Sequence, residues 1–130
     1  MLKEKIKIKK LKVHKDERGL LAKIFGHADL KGKNLQDIYV AYTKAGKNRA
    51  DHYHKKTTEW FCPIKGKGVM RFRDIGTNEK LEINLDSEEP MVIEVPPGIN
   101  HQIFSDEGEF ILIAFGNQPY NQEDDDTYST

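Results

Sequence analysis

Cysteine is almost absent from this sequence, and long apolar runs are missing. Cys62 is the only cysteine among 130 residues, so no intrachain disulfide can form, and a reducing compartment suits this composition. No apolar segment follows Met1 as it would in a signal peptide, and no apolar run approaches the roughly 18 residues of a membrane span. The sequence therefore predicts a soluble, cytoplasmic protein without a membrane partner.

The sequence also lacks a net charge. Its 21 Lys and Arg residues balance 21 Asp and Glu residues, which gives no indication of a nucleic-acid partner. Seven lysines lie within residues 3–15, and an acidic run occupies residues 123–126. Both runs are interpreted as solvated surface.

What the sequence does contain is a series of short apolar or alternating segments between turn signals. Residues 5–13, KIKIKKLKV, alternate as a solvent-facing edge strand does. Further strands are predicted over 20–25, 37–45, 49–54, 59–66, 68–75, 80–85, 91–95, 101–105 and 109–115. Only residues 27–35 are compatible with a short helical turn. Such a series of strands predicts an all-β sandwich or closed barrel.

The chain length favours one domain. At 130 residues and 15.0 kDa, the chain can bury a single core but is short for two. We therefore predict one domain over residues 1–130, with its centre at about 37–116. The polar residues 117–130 are predicted to form a tail that lies over the barrel or frays from it.

Two histidines stand one residue apart in the segment RADHYHKKTTEW (49–60). Side chains at i and i+2 of a strand share a face, so His52 and His54 are predicted to point together. The four residues between His54 and Glu59 can turn the chain into a paired strand and return the carboxylate beside them. His101, after the rigid turn Pro96-Pro97-Gly98, is the best candidate for a third nitrogen ligand. Three imidazoles and a carboxylate suit a borderline divalent ion.

The spacing of these residues resembles the two-part signature of the cupin superfamily. The matching positions are Gly46, His52, His54, Glu59 and Gly66 in the first part and Pro96, Gly98 and His101 in the second. This resemblance implies a small double-stranded β-helix (jelly-roll) barrel that holds a metal in its lumen. The implied ligands are His52, His54, Glu59 and His101. Zinc is the preferred ion, and Mn, Fe, Ni and Cu are compatible with the same ligands.

Further segments resemble nucleotide-sugar epimerases and isomerases with RmlC-like cupin folds. Asp16-x-Arg18-Gly19 and Arg49-x-x-His52 are similar to segments of dTDP-4-dehydrorhamnose 3,5-epimerases and dTDP-sugar 3,4-ketoisomerases, with Ala50 in place of a glycine. This resemblance implies that Arg18 and Arg49 contact the diphosphate and that His52 takes a proton beside the sugar ketone.

A third resemblance is to the cupin domain of capsular-polysaccharide sugar-nucleotide epimerase/reductases. It rests on HYH (52–54), KGKGVMRFRDI (65–75), VIEVPPGINH (92–101) and DTY (126–128). The pattern G-x-G-x-x-G and a surrounding βαβ unit are absent, so only the epimerising half is implied. Cupins of this size are commonly homodimers, and the same is predicted here.

We therefore predict a metal-binding epimerase or isomerase that moves a proton next to the carbonyl of a 4-keto nucleotide sugar. The catalytic candidates are His52, which the resemblance to the epimerases implies as the base, and Tyr120, which is a possible acid together with Tyr42 and Tyr53. A metal-bound water is an alternative base, so the base stays unassigned. A metal-bound His52 is not a free base in the same state, and the sequence leaves that conflict open. The alternatives are a sugar- or metal-binding module without catalysis and a metal-dependent dioxygenase.

Overall fold

The computed structural model describes residues 1–130 apart from the side chain of Asp124, and strands dominate its regular structure. The strands are β1 (Lys7–Lys10), β2 (Val13–Asp16), β3 (Gly19–Ala22), β4 (Asp37–Thr43), β5 (Asn48–Tyr53), β6 (Glu59–Lys65), β7 (Lys67–Asp74), β8 (Lys80–Asp86), β9 (Met91–Val95), β10 (Ile99–Ser105), β11 (Phe110–Gly116) and β12 (Tyr128–Ser129). The helical segments are α1 (Leu2–Lys5), α2 (His27–Leu30) and a 3₁₀ turn (Gln122–Asp124). No helix among the described residues is long and apolar enough to cross a membrane.

Ten of the strands form two five-stranded antiparallel sheets. The first sheet has the order β1-β9-β6-β11-β4, and the second has the order β12-β5-β10-β7-β8. From β4 to β11 the chain passes repeatedly between the two sheets, as in a double-stranded β-helix. Strands β2 and β3 pair separately as a hairpin. The prediction of an all-β barrel is confirmed.

The predicted strands differ from the observed ones mainly near the N-terminus. Residues 5–13 do not form one strand, because Leu2 and Ile6 turn inward around α1 and are buried in the core. The remaining β1 is an exposed strand at a sheet edge, as the lysine alternation predicts. The strand predicted over 20–25 ends at Ala22, because Ile24 and Phe25 leave the hairpin to pack on the first sheet.

Alternation along the strands separates the core from the surface. In β7, Met70 and Phe72 point inward and are 0% and 2% exposed. Burying a side chain of this size contributes about 1.5–3 kcal/mol. Arg71 and Arg73 alternate with them, and Arg71 Nε donates a hydrogen bond to Glu82 at 2.8 Å. The two arginines therefore belong to the outer face of the second sheet.

A smaller apolar cluster covers the outer face of the first sheet. Trp60 packs edge-on against Phe25, with ring centroids 6.4 Å apart, and its indole N–H donates to Glu94 at 2.9 Å. Cys62 is buried in this cluster, and burial raises the pKa of its thiol to about 11. Trp60 and Cys62 are therefore packing residues outside the barrel lumen.

A β-bulge places residues of β5 in an unusual backbone conformation beside the lumen. The register between β5 and β10 shifts at this point, so that His101 lies opposite His52 while Gln102 lies opposite Ala50. Ala50 and Asp51 have φ angles of 71° and 69°, the left-handed region that favours glycine. The dTDP-sugar epimerases and ketoisomerases that the segment Arg49-x-x-His52 resembles have a glycine at the position of Ala50. Glycine adopts this left-handed conformation without steric cost.

We expect Ala50→Gly to raise the free energy of unfolding by about 0.5 kcal/mol, because relief of the left-handed strain exceeds the loss of a partly buried methyl group. Ala45→Gly is the matched control, since Ala45 has no positive φ and lies in the turn closed by the hydrogen bond from Lys47 N to Lys44 O. That variant should lose about 0.5 kcal/mol. Urea unfolding measures both, and equal losses in the two variants would contradict the expectation.

Candidate functional site

The four predicted ligand residues converge from both sheets. His52 lies near the end of β5 and His54 just beyond it, while His101 lies on the neighbouring strand β10. Glu59 begins β6, which belongs to the opposite sheet, so the expectation that it returns on a strand paired with β5 is wrong. The loop 55–58 crosses between the sheets instead of closing a hairpin, and the cluster therefore spans the barrel lumen.

The cluster is compact and largely shielded from solvent. One ligand atom from each of the four residues lies within 4.8 Å of all the others. The imidazole centroids are 4.8 Å apart for His52 and His101, 5.1 Å for His52 and His54, and 5.4 Å for His54 and His101. His101 is 1% exposed and Glu59 is 5% exposed. The structure thus brings together all four residues that the sequence grouped.

Backbone carbonyls hold two of the imidazoles in a fixed orientation. His54 Nδ1 lies 2.5 Å from the carbonyl oxygen of Asp126, and His101 Nδ1 lies 3.3 Å from that of Ile99. Each Nδ1 must carry a proton to donate to such an acceptor, so each Nε2 is directed at the cluster. Both Nε2 atoms meet the same oxygen, Glu59 Oε1, at 2.7 Å and 3.3 Å respectively.

This arrangement requires positive charge beside the carboxylate, supplied by a proton on an imidazole or by a metal ion. With Nδ1 protonated, a neutral imidazole presents the Nε2 lone pair to the carboxylate oxygen, and the two repel each other. Either an additional proton or a metal ion between the nitrogen and the oxygen makes the contact favourable. Ligand histidines in metal sites are held in the same way, through a hydrogen bond from the ring nitrogen that does not bind the ion.

The distances within the cluster are close to those around a divalent ion. Four ligands at about 2.0–2.1 Å from a tetrahedral zinc ion lie about 3.3 Å from one another. The separation of His101 Nε2 and Glu59 Oε1 is 3.3 Å, and that of His54 Nε2 and Glu59 Oε1 is 2.7 Å. Small shifts of the side chains would therefore admit the ion, and nitrogen with carboxylate oxygen is a donor set that zinc accepts.

Burial and mutual contacts set the charge of each group. Burial favours protonation of Glu59, but its contacts with His101 and His54 outweigh this and hold the pKa of the carboxyl far below its usual range. Burial lowers the pKa of His54, and the contact with Glu59 outweighs it, so the net shift is upward. Burial, together with His101 and His54, lowers the pKa of His52 to about 4. His52 is therefore a neutral imidazole at pH 7 with a lone pair available.

Tyr39 is a site residue that the sequence analysis did not single out. Its hydroxyl donates to Glu59 Oε2 at 2.8 Å, so both oxygens of that carboxylate are engaged. Burial and the negative charge of Glu59 raise the pKa of Tyr39 above its usual range, which keeps the phenol protonated. Alternation in DIYVAYT could have indicated it, because Tyr39 shares a face with the buried Ala41 and Thr43.

Two cavities open onto the cluster. The larger, about 610 Å³, lies between the loop 55–57 and the C-terminal tail, and the smaller, about 340 Å³, is lined by apolar side chains and Arg49. His52 and Tyr39 line both. A substrate that entered either cavity would therefore meet His52.

The other predicted site residues lie at different distances from the cluster. Tyr120 lines the larger cavity and is 66% exposed at its rim. Arg49 lines the smaller cavity, where its Nη2 donates to the carbonyl oxygen of Tyr42 at 2.5 Å. Arg18 lines neither cavity: it lies on the β2–β3 hairpin, paired with Asp16.

The tail lies over the barrel, which is one of the two predicted arrangements.

Comparison with known proteins places the chain among polysaccharide-biosynthesis proteins. Residues 14–128 match the family described as "Polysaccharide biosynthesis C-terminal domain". The chain is 30% identical over 118 residues to a UDP-2-acetamido-2,6-beta-L-arabino-hexul-4-ose reductase of Pseudomonas aeruginosa, covering 90% of this chain and 30% of that protein. It is 26% identical over 128 residues to the spore coat polysaccharide biosynthesis protein SpsL of Bacillus subtilis, covering 93% of this chain and 84% of that protein.

Solved structures share the barrel. The capsular polysaccharide assembling protein CapF of Staphylococcus aureus matches with a TM-score of 0.71 and 26% identity, over 92% of this chain and 34% of CapF. ChmJ, a 3'-monoepimerase from Streptomyces bikiniensis solved with dTDP-quinovose, matches with a TM-score of 0.84 and 16% identity, over 97% of this chain and 69% of ChmJ.

The dTDP-6-deoxy-D-glucose-3,5-epimerase RmlC of Legionella pneumophila matches with a TM-score of 0.83 and 17% identity, over 96% of this chain and 72% of RmlC. The chain spans about a third of the P. aeruginosa reductase and of CapF. These likenesses confirm the RmlC-like cupin barrel. Through its match over residues 14–128, the chain belongs to the polysaccharide biosynthesis C-terminal domain family.

Proposed function

We propose that the protein epimerises or isomerises a 4-keto nucleotide sugar in the synthesis of a polysaccharide precursor. The observation that carries this proposal is the cluster of His54, Glu59 and His101, which could hold a metal ion, beside the neutral imidazole of His52. Proton transfer next to a carbonyl needs a base and a positive group near the developing enolate oxygen. The relatives support the substrate class, since their names include a hexul-4-ose reductase and epimerases of dTDP-linked sugars.

The proposal assigns the divalent ion, preferably zinc, to His54, Glu59 and His101. Two imidazoles and one carboxylate with an open position are a frequent ligand set of catalytic zinc. When bound, the ion supplies a Lewis acid that stabilises negative charge on a substrate oxygen. Tyr39 holds the second oxygen of Glu59 and so fixes the direction of the carboxylate.

His52 is proposed as the base and Tyr120 as the acid. The imidazole of His52 makes no hydrogen bond to the described residues and lines both cavities, so its lone pair can take a proton from the carbon beside the ketone. Epimerisation needs the proton to return on the opposite face of the sugar. Tyr120, on the tail side of the larger cavity, is proposed to donate it.

Arg49 is proposed to bind the diphosphate of the nucleotide. Its hydrogen bonds to Tyr42 and Thr43 use two of the five guanidinium N–H donors. The remaining donors can hold phosphate oxygens at the smaller cavity, where the apolar wall would face the nucleotide.

A homodimer is proposed because β4 leaves an apolar face and a sheet edge open. Ile38, Val40 and Tyr42 are 61%, 44% and 55% exposed on this last strand of the first sheet. A second copy would cover them. Arg18 lines neither cavity of its own chain, so we propose that it contacts a nucleotide bound to the second copy. Sedimentation equilibrium of the chain tests this proposal, and a mass equal to the 15.0 kDa monomer would refute it.

Deuterium incorporation tests the activity directly. Zinc-loaded protein is incubated in D₂O with a UDP-linked 2-acetamido-4-keto-6-deoxyhexose, and NMR follows the ring carbons that flank the ketone. We expect enzyme-dependent uptake that chelation reduces at least tenfold. Binding of the sugar without uptake would instead identify a non-catalytic binding module, and iron-dependent oxygen consumption would identify a dioxygenase.

A further inference from the structure

The C-terminal segment 125–129 crosses the barrel beside the loop that joins two of the proposed ligands. Strand β12 pairs with β5, placing Tyr128 opposite Tyr53 and Ser129 opposite His52. The rings of Tyr128 and Tyr53 pack with centroids 5.5 Å apart, and Lys55 Nζ lies 4.2 Å from the centroid of Tyr128. We call residues 125–129 the strap. Its contacts attach it to the strand that carries His52.

The carboxylate of Asp126 binds the loop 55–57 at four points. Oδ1 accepts from the amide of Lys55 at 2.9 Å, and Oδ2 accepts from the amides of Lys56 at 2.8 Å and Thr57 at 3.0 Å. The hydroxyl of Thr57 donates to Oδ2 at 2.9 Å. Hydrogen bonds to a charged acceptor are stronger than neutral ones, so this one side chain fixes the backbone of the loop.

The same residue also orients a proposed ligand. The carbonyl oxygen of Asp126 accepts from His54 Nδ1 at 2.5 Å, which leaves His54 Nε2 directed at Glu59. The fixed loop begins after His54 and ends before Glu59. One residue near the C-terminus therefore sets both the rotation of the His54 ring and the path of the chain between two ligands.

We propose that Asp126 is a positioning residue that preorganises His54 and Glu59 for the divalent ion. The inference rests on the metal assignment under the proposed function and extends it to the strap. Groups that orient metal ligands commonly affect affinity about 10- to 100-fold. The proposed activity does not use the DTY motif at 126–128. The inference gives two of its residues a role, because Asp126 holds the ligand loop and Tyr128 holds the strap.

Zinc affinity measured by competition with a chromophoric chelator tests the inference. Asp126→Ala should weaken zinc binding about 10- to 100-fold. Glu123→Ala is the matched control, because it removes an exposed carboxylate of the tail that lines neither cavity, and its effect should stay below about threefold. Thr57→Val removes only one of the four bonds and should give a smaller loss than Asp126→Ala. If Asp126→Ala lowers the melting temperature but leaves zinc affinity unchanged, Asp126 is only structural and the proposal fails.

A second readout does not depend on metal. In the metal-free protein, ¹⁵N NMR of the imidazoles should show His54 protonated at Nδ1 and protected by the backbone carbonyl of Asp126. Asp126→Ala keeps this carbonyl but loses the carboxylate that fixes its position against the loop 55–57, so the His54 N–H should exchange faster with solvent, while Glu123→Ala retains the wild-type protection. A wild-type protein that binds no zinc would refute the metal assignment, and the NMR comparison would still decide whether Asp126 orients His54. An unchanged His54 signal in Asp126→Ala would overturn the inference.

Discussion

Glu59→Gln should bind zinc at least 100-fold more weakly than the wild type and lose deuterium incorporation to a similar extent. Glu59 supplies the only carboxylate in the cluster, and it is 5% exposed between His54, His101 and Tyr39. Glutamine has the same shape, and its amide N–H groups can donate to the imidazole nitrogens. The variant should therefore fold, but it lacks the anionic ligand that the ion needs. Chelator competition and the D₂O assay measure the two losses.

The control for this variant is Glu82→Gln. Glu82 lies on the outer face of the second sheet, 55% exposed in its side chain and paired with Arg71, so it should leave both measurements within about twofold of the wild type. Full zinc affinity in Glu59→Gln would show that the ion does not bind at this cluster. Full incorporation without zinc would show instead that the metal-free cluster is the active form.

Alternation and motif spacing were sufficient to predict the barrel and the four clustered residues. Strands such as β7 and β11 alternate or run apolar over their whole length, so burial fixes which face each residue takes. His52 and His54 share a face by the same rule, and His101 pairs with His52 across the neighbouring strand. The shared face of His52 and His54 depends on local period, which a sequence displays. The pairing of β10 with β5 is a tertiary contact, and His101 was grouped with the others through the cupin-like motif spacing.

The direction from which Glu59 approaches was not predictable in that way. Four loop residues can close a hairpin or cross between two sheets, and local sequence does not distinguish the two. The crossing is fixed by Asp126, whose contacts with the loop join residues about 70 positions apart. Tyr39 was missed for a related reason, since its partner Glu59 lies 20 positions away in sequence. Such contacts belong to the tertiary structure.

His52→Ala should lower the rate of deuterium incorporation by about 10²- to 10⁴-fold. The same variant should bind zinc with an affinity within about tenfold of the wild type. The reason is that Glu59 Oε1 contacts only His54 and His101, whereas the imidazole of His52 makes no hydrogen bond to the described residues. Its pKa, lowered to about 4, leaves it neutral and able to accept a proton at pH 7. His14→Ala, an exposed histidine on β2, is the control and should change neither quantity.

Added imidazole separates a base from a ligand in the same variant. His52 lines two cavities that open onto the cluster, so free imidazole can enter the space that its ring leaves. If His52 is the base, imidazole restores incorporation in proportion to its concentration while zinc occupancy stays constant. If His52 is instead the fourth ligand, which the 4.8 Å limit of the cluster also permits, zinc affinity falls about 100-fold or more in His52→Ala. The rate of deuterium incorporation then depends on zinc occupancy and not on the concentration of imidazole. In that case the assignment of His52 as the base is wrong.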